Sequence, residues 1–388
     1  MSSATPKITN ARRAAGAAAL TQHLVERTRL LALGLFFVSG VSALIYEVAW
    51  VRMLSLSFGV SVYAVSTVLS VYMGGFALGS WLFGRRASHP LALAWAARFN
   101  LPPALVRYVA LQAGIGVYAL LTPALFGGLT TLYAAAGQSG MLSPASGAVL
   151  RIVLAVLALV VPTTLMGGTL PVLSQYLASW RPGRARVIGS LYAANTLGAV
   201  LGTLAAGLVL IRFAGTHAAI YVAAVLDLLV ALVAVRALRG IEPEGAAESA
   251  TDATADTRIQ APPRPLSRKQ KRNAARAEAA AASVPAQAAA PITARQRQIV
   301  LWGYALSGFA ALGYQVVWTR LLSIFTLNAV FSFTIMLATF LAGLAIGSSV
   351  LAGRSAKVRR PLTVFGALQL ATGISAILVL FVFAKLPT

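Results

Sequence analysis

The stretch SGVSALIYEVAWVRMLSLSFGVSVYAVSTVLSVYMGGFALGSWLFGRR, residues 39–86, returns without a gap as SGFAALGYQVVWTRLLSIFTLNAVFSFTIMLATFLAGLAIGSSVLAGR, residues 307–354. Position by position, 17 of 48 residues are identical, including Tyr46/Tyr314, Trp50/Trp318, Arg52/Arg320, Gly75/Gly343 and Gly79/Gly347. Each copy is a pair of apolar runs, and a spanning helix needs about 20 mostly apolar residues. The repeated unit is therefore a hairpin of two membrane helices. Duplicated blocks of membrane helices are the usual construction of secondary transporters.

Working outward, six apolar runs meet the length requirement before residue 240, near 30–54, 60–84, 104–126, 148–178, 187–211 and 216–236. Three more follow near 298–323, 330–352 and 361–384. The expected fold class is an all-α polytopic membrane protein of about nine transmembrane helices, a parallel repeat with an incomplete second half. Six spans separate the two copies, an even number, so both enter the membrane in the same direction. The chain is either a piece of a longer protein or a short form, and the sequence leaves both open. Residues 1–29 read as a cytoplasmic tail, 30–239 as a first six-helix bundle and 298–388 as a three-helix second segment. Residues 240–297 hold no aromatic residue and carry the run Arg268-Lys269-Gln270-Lys271-Arg272. Such a composition cannot bury enough apolar surface to fold alone, so it reads as a disordered cytoplasmic linker.

Composition agrees: 58% of residues are hydrophobic and 11% charged, far from a soluble domain. The 32 Lys and Arg against 9 Asp and Glu give a formal charge of +23. Most of the basic residues fall in loops and tails, so membrane topology accounts for them better than nucleic acid does. Basic residues follow the second, fourth, sixth and eighth spans (Arg85 and Arg86, Arg181 to Arg186, Arg236 and Arg239, Arg354 to Arg360), while residues 127–147 carry no charge. This alternation predicts a cytoplasmic N-terminus, an external C-terminus and a bacterial-type inner membrane. With no cysteine there is no thiolate metal site or cysteine nucleophile. His23, His89 and His217 lie in tails or at span ends, so no metal site, cofactor or catalytic residue is expected.

Two carboxylates fall inside spans, Glu47 and Asp227. An Asp at the centre of a membrane helix costs roughly 2.5–3.5 kcal/mol on insertion scales, so each is a functional candidate. Glu47 and Gln315, equivalent in the two copies, are expected to line one cavity between the halves, with Tyr46, Trp50, Arg52, Tyr314, Trp318 and Arg320 around it. The competing expectation makes Trp50 and Trp318 interfacial belt residues beside snorkelling arginines. Asp227 is expected either to pair with Arg151 or Arg212 or to carry a proton. Asn195 and Thr196 are expected to hydrogen-bond between helices, beside Gly198-x-x-x-Gly202. That motif, Gly75-x-x-x-Gly79 and Gly343-x-x-x-Gly347 permit close helix approach. Pro162 and Pro171 flank Gly167 and Gly168, and this segment predicts either a broken-helix site or a kink satisfied by neighbouring helices.

The duplicated Tyr-(Glu/Gln)-Val-x-Trp-x-Arg block, the Pro162–Pro171 segment and Leu191-Tyr-Ala-Ala-Asn-Thr-Leu-Gly-Ala199 together resemble the membrane part of the fused major-facilitator/spermidine-synthase proteins. The resemblance implies a major-facilitator-like module associated with a soluble aminopropyltransferase domain. The chain has no Gly-rich loop followed by acidic residues after a strand and no strand-rich Rossmann-type region, so no catalytic residue is carried over. Two functions follow as expectations. One is a transporter-like module for polyamines or other small cations. The other is a non-transporting anchor for a spermidine synthase carried on another chain or a C-terminal part. The expected partners are the lipid bilayer, such a synthase and a small cationic metabolite.

Overall fold

A computed structural model describes residues 5–58, 61–85, 90–99, 101–138, 143–178, 184–239, 294–354 and 361–385. The described chain is helical apart from short turns. The helices are α1 (Thr5–Phe58), α2 (Ser61–Arg85), α3 (Pro90–Phe99), α4 (Pro103–Gln138), α5 (Pro144–Ala178), α6 (Arg184–Leu204), α7 (Gly215–Leu238), α8 (Ala294–Thr326), α9 (Ala329–Arg354) and α10 (Pro361–Ala384). A π-helical segment, Ala205–Leu210, and a short turn, Ile211–Phe213, continue α6. Among the described residues nine helices are long and apolar enough to cross a membrane, all except α3. The linker expected at 240–297 lies outside the described residues as far as residue 293, and Ala294 already begins α8. Likewise, α1 starts at Thr5, within the stretch expected as a tail.

Prolines set several of these boundaries. Helices α3, α4, α5 and α10 each begin on one, where the missing N–H is no loss and the fixed φ suits a first turn. Between α8 and α9, Leu327 takes a left-handed φ of 52°. Asn328 Oδ1 then caps α9 by accepting from the Val330 and Phe331 amides at 3.0 and 3.2 Å.

Inside lipid, apolar burial does not distinguish one helix neighbour from another, so close backbone approach and hydrogen bonds decide the packing. The first copy shows this directly. A Cβ on Gly79 would stand 2.0 Å from the Thr164 carbonyl oxygen, and one on Gly75 would stand 2.0 Å from Thr163 Oγ1. Helix α2 is thus pressed against α5, and Gly167 answers with its own approach to the Phe76 backbone. Helix α1 is pressed against α6 in the same manner: Gly198 and Gly202 meet the carbonyls of Phe37 and Val41, and Gly40 meets that of Asn195. Helix α4 packs on α5 and α7, and α9 packs on α6. At that last contact Gly207, in the π-helical segment, admits Thr334.

The second copy has a different environment. Among the described residues nothing lies within 4 Å of a Cβ added to Gly343 or Gly347. Ser80 of α2 donates to the Gly167 carbonyl of α5 at 2.9 Å, while its equivalent, Ser348, folds back on Ala345 of its own helix at 3.1 Å. Helix α10 buries none of its spanning window. The chain divides into two compact units, Met1–Glu244 with Leu312–Thr388, and Gly245–Ala311. In the second, Trp302, Tyr304 and Phe309 are exposed.

The proline segment departs from the broken-helix expectation. Helix α5 runs through both prolines. Each proline lacks the N–H that would bond the carbonyl four residues earlier. For Pro162 that carbonyl belongs to Ala158, and Tyr118 Oη of α4 donates to it at 2.8 Å. For Pro171 it belongs to Gly167, and Ser80 of α2 supplies the donor at 2.9 Å. Neighbouring helices therefore satisfy both freed acceptors, and Gly167 and Gly168 serve close packing rather than a helix break.

Candidate functional site

Ser42 and Tyr46 are four residues apart and share one face of α1. That face meets α7, where Asp227 Oδ1 lies 2.5 Å from Ser42 Oγ. Ser42 Oγ also lies 3.0 Å from the Ser39 carbonyl oxygen, one turn back. The Tyr46 hydroxyl interacts electrostatically with Asp227, without hydrogen-bond geometry. Tyr72 of α2 feels both Glu47 and Asp227, and its hydroxyl donates to the Ala43 carbonyl at 2.9 Å. Tyr108 of α4 feels Asp227 and receives a hydrogen bond from Gln112 Nε2 at 3.2 Å. These polar groups are contributed by α1, α2, α4 and α7.

Glu47 and Asp227 are each only 1% exposed. Among the described residues Glu47 Oε1, Asp227 Oδ2, Tyr46 Oη and Trp50 Nε1 are all buried without a partner in hydrogen-bond geometry. Buried polar atoms are normally paired, and orphaned ones concentrated in one region mark a place built for something other than packing. Among the described residues no Arg, Lys or His pairs with Asp227. The expected partners are engaged elsewhere: Arg151 bonds to and lies over Tyr133, and Arg212 lies over Phe213. Ser42, 185 residues distant in sequence, reaches Asp227 across the α1–α7 contact.

The remaining candidates separate. Trp50 is fully buried, stacked on Tyr46 with ring centroids 5.4 Å apart and edge-on to Tyr72 at 6.4 Å, so it is no interfacial belt residue. Arg52 is half-buried and Arg320 is exposed. Tyr314 is half-buried. Gln315 is 3% exposed with Oε1 unpartnered, and Trp318 packs on Phe383 at 5.8 Å. No hydrogen bond joins Glu47 to Gln315 among the described residues. Val316 and Trp318 nonetheless pack against the same apolar core as Tyr46 and Trp50. Asn195 makes the expected interhelical bond, donating to the Phe36 carbonyl at 3.1 Å, whereas Thr196 bonds within its own helix to Tyr192.

Sequence reasoning missed Ser42, Tyr72, Tyr108 and Gln112. The signal for Ser42 was present: a hydroxyl one helical turn before Tyr46 on a face otherwise apolar. Gln112, an amide inside an apolar run, also carried a signal, whereas nothing local marked Tyr72 and Tyr108, since a lone Tyr in a span reads as packing.

The family model described as Major Facilitator Superfamily matches residues 145–386. No curated protein and no solved structure matches the chain. The match extends over more than half of the 388 residues, takes in both the closing helices of the first bundle and the second copy of the hairpin, and is to the superfamily as a whole. A helical membrane protein with nine candidate spans and a buried acidic interior, the chain belongs to the Major Facilitator Superfamily.

Proposed function

We propose that this transporter-like protein moves a small organic cation along a path between its two halves, with Glu47 as the anionic group that receives it. The observation that carries this reading is the orphaned, buried Glu47 Oε1, beside Tyr46 in sequence and close enough to Tyr72 to interact with it electrostatically. A carboxylate recognises an ammonium by charge and hydrogen bonding, and aromatic faces add cation–π attraction. Polyamines fit that chemistry, and the resemblance of the Tyr46–Arg52 block to the fused spermidine-synthase proteins favours them among small cations. Gln315, Tyr314 and Trp318 supply the second-half counterpart of this lining, with Arg52 and Arg320 toward the span ends. The bundle at 30–239 and the segment at 298–388 act as the two halves. The basic loops orient the N-terminus to the cytoplasm of a bacterial-type inner membrane.

The uncovered second copy favours a second reading. Exposed Gly343 and Gly347 and an unburied α10 suit an anchor that docks other membrane segments and positions an aminopropyltransferase. Vesicles reconstituted with the full chain and loaded with radiolabelled putrescine or spermidine separate the two. The transport reading expects flux in the wild type and none in Glu47→Gln at unchanged folding. Flux that survives Glu47→Gln refutes the role of Glu47, and a folded wild type without flux favours the anchor.

A further inference from the structure

The Ser42–Asp227 contact bears on the charge of Asp227. A serine hydroxyl has one hydrogen to donate. Two acceptors compete for that of Ser42: Asp227 Oδ1 at 2.5 Å and the Ser39 carbonyl oxygen at 3.0 Å. If Asp227 is ionised, the hydrogen goes to the carboxylate and the Ser39 contact is unmade. Asp227 Oδ2 is then an anionic oxygen, buried among the described residues without a donor in hydrogen-bond geometry, the nearby Tyr46 hydroxyl included. If Asp227 is the neutral acid, its own O–H donates to Ser42 Oγ, and Ser42 passes its hydrogen on to Ser39. Both short contacts are then hydrogen bonds, and Oδ2 is left as a neutral carbonyl-type oxygen.

The surroundings favour the second arrangement. Among the described residues Ser42 of α1 contacts Asp227 directly, and Tyr46 of α1, Tyr72 of α2 and Tyr108 of α4, all neutral, are near enough to interact with it electrostatically; Tyr72 also interacts with Glu47. None supplies positive charge, and a buried carboxylate without a cation or a full set of donors is strongly disfavoured.

We propose that Asp227 is a proton-binding site, held as the neutral acid by a relay in which its O–H donates to Ser42 and Ser42 donates to the Ser39 carbonyl. The proton is fully accounted for: it sits on Oδ1, and no other group changes protonation. Ser42 is a positioning residue that fixes the acid form. This goes beyond the cation-transport reading and does not rest on it, because Asp227 can hold its proton whether or not anything crosses the bundle.

Infrared difference spectroscopy of the full chain in lipid nanodiscs, at neutral pH, reads the site without any flux. The expected result is a protonated-carboxyl C=O band, downshifted in heavy water, of which one component is lost in Asp227→Asn and kept in Glu47→Gln. Ser42→Ala is expected to keep that component but shift it upward, because the acid has lost its acceptor. The proposal is overturned if Asp227→Asn removes ionised-carboxylate absorption instead. It is equally overturned if Ser42→Ala, which changes little volume and preserves the fold, leaves the carboxyl band where it was.

Discussion

Replacing Gly79 and Gly347, equivalent positions of the duplicated hairpin, by alanine should have opposite effects. At Gly79 the new Cβ would stand 2.0 Å from the Thr164 carbonyl oxygen and 2.9 Å from the Gly168 amide nitrogen. Both are backbone atoms of α5, so no rotamer change can relieve the clash and the two helices must separate. Overpacking of this kind costs about 1–3 kcal/mol. Separation would also stretch the Ser80 bond to the Gly167 carbonyl, now 2.9 Å. At Gly347 nothing among the described residues lies within 4 Å. There alanine only restricts the unfolded chain and improves helix propensity, by about 0.8–1 kcal/mol. Both positions lie inside helices, so the propensity gain is common to the two variants and their difference is the clash alone, about 1–3 kcal/mol. Thermal unfolding of each purified variant in one mild detergent, followed by circular dichroism, measures it. For a bundle of this size 1 kcal/mol moves the midpoint by about 2–4 °C. Equal shifts in the two variants would refute the reasoning, since one copy would then not be pressed on α5 or the other would not be open.

Two further predictions use the same contrast between satisfied and open positions. Tyr118→Phe removes the donor to the Ala158 carbonyl freed by Pro162 and should destabilise by about 0.6–1.7 kcal/mol, the span measured for interhelical hydrogen bonds in membranes. The double variant Tyr118→Phe with Pro162→Ala restores an intrahelical donor, and unfolding midpoints should show the loss recovered. Trp50→Ala should cost about 3–5 kcal/mol, because a fully buried ring and its contacts with Tyr46 and Tyr72 disappear. Trp318→Ala should cost less than that, because the ring is half-exposed: about 0.5–1.5 kcal/mol with the Phe383 contact plus the smaller area it buries against the core. A midpoint drop for Trp318→Ala as large as that for Trp50→Ala would contradict the asymmetry of the two copies.

The candidate site was only partly legible beforehand. Glu47 and Asp227 stand out in any reading, because charge inside an apolar run is anomalous by itself. Their surroundings do not. The prolines of α5 illustrate the limit: two prolines around two glycines announce freed carbonyls, yet whether those carbonyls face a cavity or a donor depends on Tyr118 and Ser80, which belong to other helices. The Trp50 and Trp318 blocks carry the same Tyr-x-Val-x-Trp-x-Arg spacing, and one is core while the other is half-exposed.

What the amino-acid sequence determined by itself is the set of spans and the duplication that relates two of their pairs. Both are local properties: crossing a bilayer requires only a long enough apolar run, and a repeat is visible without knowing what it touches. It also marked the glycine pairs that allow close approach. Tertiary structure alone decided which of those pairs is used, that Gly75 and Gly79 receive α5 while Gly343 and Gly347 stay open, and that Asp227 answers to Ser42 instead of an arginine. The physical reason is that lipid is as apolar as the helices, so hydropathy cannot say which helices touch. Only the meeting of backbones and the few polar atoms between them does.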